Sequence, residues 1–196
     1  MTLPRLVTIL ALCATGLLSS GCTSLFIGAA ATGGIAVAED RSVGTQIDDA
    51  TIKIAVSESL FSYNEQLFQD VSIDVTEGRV LLTGKVEDPQ DRIEAVRLAW
   101  QAEGVKEVIN EIQVTDKGGI GSYMTDVRIS NELRADLLFD SQVQAINYNV
   151  DTVGQIVYLT GIAQSQEELQ RVIDTARTIS GVKQVVSHVR VKAPTG

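Results

Sequence analysis

The hydrophobic pattern of this chain is written twice. In a first segment Ile52, Val56 and Leu60 recur at every fourth position, the spacing of one helical face. Val71, Ile73 and Val75 then alternate with polar residues, Glu77-Gly78 supplies a turn signal, and "RVLLTG" continues the apolar run. That pattern predicts two strands joined as a hairpin. Asp88-Pro89 opens a second helix, with the aspartate as cap and the proline at the first helical position. Gly104 ends that helix, and a last strand runs from Val108 to Val114. The second segment repeats the order. Ile129, Leu133 and Leu137 form the helical stripe, and Ile146, Tyr148 and Val150 alternate. A turn two residues longer surrounds Gly154, and "IVYLTG" follows. Ser165 and Glu168 make an S-x-x-E capping box. Gly181 ends the helix, and Val185 to Val191 forms the last strand.

The register between the segments is constant. Gly84 and Gly161 stand 77 positions apart, as do Gly104 and Gly181, Ile52 and Ile129, Ala99 and Ala176, and Ile112 and Val189. So many matches at one offset identify an internal repeat. The predicted organisation is residues 1–21, a signal segment; 22–46, a tether; 47–115, a first domain; 116–123, a linker; and 124–192, a second domain. Each domain reads helix–strand–strand–helix–strand. The strand–helix–strand part requires a right-handed crossover, which lays the last strand parallel to its partner. The expected class is therefore α+β, with a three-stranded mixed sheet and two helices on one of its faces. The other face is left to solvent, a partner or the sister domain. A unit of about 70 residues has only a marginal core, which favours docking of the two copies.

This order and its motifs resemble the BON domain, in both copies and so across nearly all of the chain beyond the tether. Gly78, Val80, Leu82 and Gly84 carry the "G-x-V-x-L-x-G" motif, and Gly104, Val105 and Val108 carry "GV-x-x-V". "DRSVGTQIDDATI", residues 40–52, is similar to the lead-in of the first domain in dual-BON outer-membrane lipoproteins.

The N-terminus fits that resemblance. Arg5 precedes a 13-residue apolar run, Leu6 to Leu18. That run is too short for a bilayer core of about 30 Å at about 1.5 Å per residue, and suits a secretory signal. "LSSGC", ending at Cys22, resembles the bacterial lipoprotein signal, in which the cysteine is diacylated and becomes the first residue; Ser19 stands where that signal has leucine. A plain signal peptide with an incidental Cys22 is the alternative. Cys13 lies in the cleaved part, so Cys22 would be the one thiol left and no internal disulfide could form. Thr23, in place of aspartate, resembles the outer-membrane sorting pattern. "TSLFIGAAATGGIAVA", residues 23–38, carries no charge and reads as a tether, or as a membrane hairpin too short to span.

Catalytic chemistry is not encoded in any recognisable arrangement. The single histidine, His188, falls on the last strand with no partner set by spacing. Histidine and cysteine do not cluster at metal-ligand spacing. "KGGIG" from Lys117 lacks the context of a phosphate loop, and Asp48-Asp49 reads as a charge pair at a helix N-terminus. A pI of about 4.6 disfavours nucleic acid. The expected cofactor, metal and catalytic complement is none.

What remains is a binding surface, and charge separates the copies. Residues 47–116 hold 15 acids and six bases, net −9, whereas residues 124–196 hold eight acids and seven bases, net −1. An anionic bilayer repels the first and tolerates the second. In the first helix of the second copy, Arg128, Arg134, Leu138 and Phe139 lie off the core stripe, combining charge for headgroups with apolar side chains for the acyl boundary. The alternative is a solvated helix whose Leu138 and Phe139 complete the core. The resemblance implies binding of anionic phospholipid through this helix, although Arg128 stands where the relative carries a tryptophan; loss of that interfacial anchor either weakens the affinity or moves the anchor to Tyr123. The function expected is a non-enzymatic lipoprotein of the outer membrane, facing the periplasm. It would bind anionic phospholipid such as phosphatidylglycerol through Tyr123, Arg128, Arg134, Leu138 and Phe139, and support envelope integrity. The alternative is an adaptor whose acidic first domain recruits envelope-assembly, division or cell-wall proteins.

Overall fold

The computed structural model describes residues 43–116 and 118–193. Cys22 and the signal and tether segments up to Arg41-Ser42 lie outside them. Chain order is α1 (Val43–Tyr63), α2 (Glu65–Asp70), β1 (Val71–Thr76), β2 (Arg79–Val86), α3 (Pro89–Ala99) and β3 (Glu107–Val114) in the first copy. The second copy has α4 (Ile120–Phe139), a 3-10 turn (Ala145–Asn147), β4 (Tyr148–Val153), β5 (Ile156–Ala163), α5 (Gln166–Thr178), β6 (Gln184–Ser187) and β7 (Arg190–Val191). β1–β2 and β4–β5 are antiparallel, while β3 and β6 run parallel to β2 and β5, as the crossover requires. The fold is the expected α+β pair.

Several local expectations change. The short helix α2 was not in the sequence pattern; Asn64 caps it, its side chain accepting from Gln66 N–H at 2.8 Å and Leu67 N–H at 3.3 Å. Ile146 falls in the 3-10 turn, so β4 starts at Tyr148. The hairpin turns have equal length: Glu77-Gly78 and Gly154-Gln155, all four residues at positive φ, the signature of a type I′ turn. The glycine has moved from the second turn position to the first; the second turn looked two residues longer because Thr152 stands where copy one has Val75, so the apolar alternation stops at Val150 although β4 continues to Val153. The last strand of copy two is split at His188–Val189, so its sheet counts four strands rather than three, with β7 rejoining β5. The capping box at Ser165 is half made. Ser165 Oγ accepts Glu168 N–H at 3.2 Å, but the Glu168 carboxylate turns to the N–H groups of Gln144 and Gln164 at 2.8 and 2.6 Å. α4 begins at Ile120, inside the stretch expected to be linker, because Gly119 O accepts from Ser122 and Tyr123 N–H and starts the first turn.

Each copy has its own core between helices and sheet. Ile52, Val56, Leu60, Val80, Leu82 and Ala95 anchor the first, and Ile129, Leu133, Leu137, Val157, Leu159 and Val172 the second. A third cluster joins the copies: Leu81, Val153 and Tyr158, with Ile109, Ile156 and Val186 against it. The helix-free faces of the two sheets therefore cover one another, and β2 and β5 are buried on both sides.

The internal repeat gives this interface its geometry. Leu81 and Tyr158 are the same position in the two copies, and so are Glu111 and His188, whose side chains meet at 2.8 Å. Arg190 pairs with Glu77, and reciprocally Gln113, the counterpart of Arg190, donates to Val153 O at 3.1 Å beside Gly154, the counterpart of Glu77. Reciprocal contacts of this kind define an approximate two-fold axis within one chain. One pair breaks the symmetry. Thr83 donates to Asp151, but Thr160 Oγ1 has no hydrogen-bond partner, and Asp74 turns instead toward Lys53 at 3.8 Å.

Candidate lipid-facing helix

α4 is fixed on one side by polar contacts as well as by its apolar stripe. Asp126 is buried and accepts the N–H groups of Gly154 and Gln155 at 2.8 and 2.7 Å, tying the helix to the β4–β5 turn. Asp49 does the same in copy one, accepting Glu77 and Gly78 N–H, each at 2.8 Å. Asp49 is therefore a turn latch in the second turn of α1, not one of a charge pair at its N-terminus. Ser130 donates to Thr152 Oγ1 at 2.8 Å, and Arg134 donates to the Val150 carbonyl on the edge of β4.

The opposite side of α4 is open and apolar toward its two ends, with the exposed Asn131 and Glu132 between them. Ile120, Leu138 and Phe139 are 84%, 71% and 86% exposed, with Tyr123 and Met124 also exposed. Leu138 and Phe139 do not complete the core. Ile120 and Leu138 are 18 positions apart, five turns at about 3.6 residues per turn, so they lie on one line along the helix. Tyr123 and Leu138 sit near opposite ends, about 22 Å apart along the axis. The five predicted residues thus form a strip rather than a spot. Ile120, assigned to the linker by the glycines around it, and Met124, the first residue of the expected second domain, belong to that strip. Their four-residue spacing was the signal that could have found them.

Arg128 and Arg134 flank the strip, and both also serve the fold. Arg128 pairs with Glu132 at 2.5 Å and donates to Ser180 O at 2.5 Å. Arg134 donates to Val150 O and to Asn131 Oδ1 at 3.3 Å. A guanidinium has five N–H donors, so each retains donors for an anion, and both side chains reach solvent. Next to Arg134, a cleft of 510 Å³ runs between the edge strands β1 and β4. In it, burial pushes the Asp74 carboxyl above its ordinary value, with Lys53 opposing and Asp151 adding to the shift.

Among the described residues no group of histidine, cysteine and carboxylate side chains could hold a metal ion. Nor, among them, is any helix long and apolar enough to cross a membrane.

A family model described as the BON domain matches residues 48–116 and 125–193. An uncharacterized protein in the gshII 5′ region of Anaplasma centrale is 45% identical over 147 residues, covering 74% of this chain and 96% of that one. The outer membrane lipoprotein DolP of Haemophilus influenzae is 30% identical over 188 residues, 95% of this chain and 96% of its own. Osmotically-inducible protein Y of Escherichia coli is 30% identical over 154 residues, 78% of this chain and 77% of its own.

Proposed function

This chain belongs to the BON domain family, and from that premise we propose that it is a non-enzymatic, lipid-anchored protein of the outer membrane that reads anionic phospholipid with α4 and supports envelope integrity. Residues 1–21 are its signal segment and Cys22 carries the diacylglyceryl anchor. Of the expected tether, residues 22–46, α1 takes up the end from Val43, and the part before it links the anchor to the paired domains on the periplasmic side. The relative named as an outer membrane lipoprotein supports the location.

The observation that carries the lipid reading is the open strip of α4, with Ile120, Met124, Leu138 and Phe139 bracketed by Arg128 and Arg134. A helix lying in the membrane plane brings both ends of that strip to the acyl boundary at once. Fully burying a leucine or phenylalanine side chain is worth about 1.5–3 kcal/mol, and each base near an anionic surface adds about 1 kcal/mol. The second copy, at net −1, is the one an anionic surface tolerates.

The test is flotation of the fragment 40–196 on phosphatidylcholine vesicles with and without phosphatidylglycerol. Flotation that requires phosphatidylglycerol, and that falls at least tenfold in Leu138→Asp/Phe139→Asp, is the expected result. The apolar pair is the better probe, because reversing Arg134 would also release β4. Absence of flotation on either vesicle, or a double variant that floats like the parent, overturns the reading.

A further inference from the structure

The repeat provides an internal control for what an outer helical surface needs. Both copies lay two long helices over one sheet face, so equivalent positions have equivalent surroundings. In copy one the solvent side of these helices is apolar: Ile54 and Phe61 on α1, Ile93 and Trp100 on and just beyond α3, each more than half exposed. The matching positions in copy two are Asn131, Leu138, Gln170 and Arg177. Three of the four are polar, so the fold itself does not demand apolar side chains there.

These residues form two exposed rows along neighbouring helices. Ile54 and Phe61 are seven positions apart, on one line of α1, as are Ile93 and Trp100 on α3. Phe61 meets Phe68 of α2 edge to face, with ring centroids 5.7 Å apart. α1 and α3 pack side by side, and a groove of 560 Å³ between them is lined by Ala55, Glu58, Ser59, Ser62, Tyr63 and Leu98. Glu58 is the groove's single charged side chain and is exposed. Exposed large apolar side chains grouped along neighbouring helices and rimmed by polar groups mark interaction sites.

Charge decides the occupant. The first copy carries net −9, and Glu65 and Glu103 add exposed carboxylates near the patch. Of the two bases on α3, Arg97 is held by Glu94 at 2.6 Å, which leaves Arg92. An anionic membrane is repelled by this surface. A second copy of the chain brings the same sign of charge. Residues 23–38 of the chain carry no charge and offer Glu58 no counterpart. We propose that the helical face of the first domain is a docking surface for a basic, amphipathic helical segment of a protein partner, its apolar side laid along the α1–α3 groove and its lysines or arginines against Glu58 and the surrounding carboxylates.

The test uses the full chain in bacterial cells. Photoreactive p-benzoylphenylalanine replaces Ile54, Ile93 or Trp100 in turn, and Asn131, Gln170 or Arg177 as matched positions. The expected result is a protein adduct from the first-domain positions alone, with the cross-linked segment sequencing as an amphipathic helix bearing lysine or arginine. Glu58→Lys in the same chain should lower the adduct yield at least tenfold. Ala135→Lys, the corresponding change in copy two, should leave it unchanged. An adduct with a second copy, with lipid or with the chain's own N-terminal segment overturns the proposal. So does a cross-linked segment without bases, a yield indifferent to Glu58→Lys, or no adduct at all. Vesicle flotation through α4 is a separate readout, so failure of one reading leaves the other standing.

Discussion

Replacing Gly161 by alanine should be the most damaging single-methyl change in this protein. Gly161 closes the signature motif of copy two and pairs with Tyr148 at the mouth of the hairpin. Its φ is +129°, and an added Cβ would stand 1.9 Å from the carbonyl oxygen of Asn147. Gly84, its counterpart, has φ +135° and would meet Asp70 O at 2.0 Å. Both obstacles are backbone, at the point where the 3-10 turn or α2 hands over to the first strand, so neither can swing aside as a side chain would. The backbone strain is worth about 1–3 kcal/mol, and forced displacement of packed neighbours about 1–3 kcal/mol more. The sum, about 2–6 kcal/mol, competes with a total stability of about 5–15 kcal/mol. For a folded part of this size each kcal/mol moves the midpoint by about 2–4 °C, so Gly161→Ala should melt about 5–20 °C below the parent. Two controls grade the series. Gly181, at φ +93°, would touch a movable Arg128 Nη2 at 3.3 Å, and its alanine should cost about 1–2 kcal/mol. Gly119 has nothing within 4 Å, and its alanine should stay within about 0.5 kcal/mol of the parent. Thermal unfolding followed by circular dichroism reads all three. A Gly161→Ala midpoint within 2 °C of Gly119→Ala, on the scale of about 2–4 °C per kcal/mol, would refute the reasoning.

Two further perturbations probe the seam between the copies. Asp74 has its carboxyl raised by burial, so the folded state binds its proton more tightly than the unfolded chain does. Stability from this group therefore falls as pH rises from the ordinary value of 3.8 to the raised one, and stays low above it. Asp74→Asn should accordingly stabilise the protein at pH 7 and match it near pH 3 in urea titrations; a variant less stable at pH 7 contradicts the sign. Tyr158 is buried among Leu81 and Val153 and accepts from Gln113 at 3.2 Å through its hydroxyl oxygen. Tyr158→Ala opens a cavity between the sheets costing about 3–5 kcal/mol, and should turn one calorimetric transition into two; a single unshifted transition would show that the copies are not coupled there.

What the chain determined by itself is local and repetitive. The stripes of Ile52-Val56-Leu60 and Ile129-Leu133-Leu137 needed only helical spacing, and their residues are buried as read. The 77-residue register fixed which residues correspond, and a right-handed crossover followed from chirality alone. Positive φ at Gly104 and Gly181 agrees with their reading as special backbone positions, although the helices end a few residues earlier, at Ala99 and Thr178.

Tertiary structure decided whatever depends on partners distant in sequence. Asp49 and Asp126 look like ordinary helix acids until the hairpin turn 28–29 positions away presents two N–H groups to each. Leu138 and Phe139 could have completed the core or faced out. Leu133 and Leu137 are the ones buried against the sheet, and the next two side chains stand in solvent. Arg128 and Arg134 could be placed off the core stripe from spacing, but not their bonds to Ser180 and Val150, which belong to other elements. The open face of each sheet had three permitted covers, and the marginal core of a unit this small favoured the sister copy without saying which residues would meet. The meeting of Leu81 with Tyr158 and of Glu111 with His188 selects the sister copy. Periodicity reports which face of an element is apolar; it carries no information about which surface will meet it.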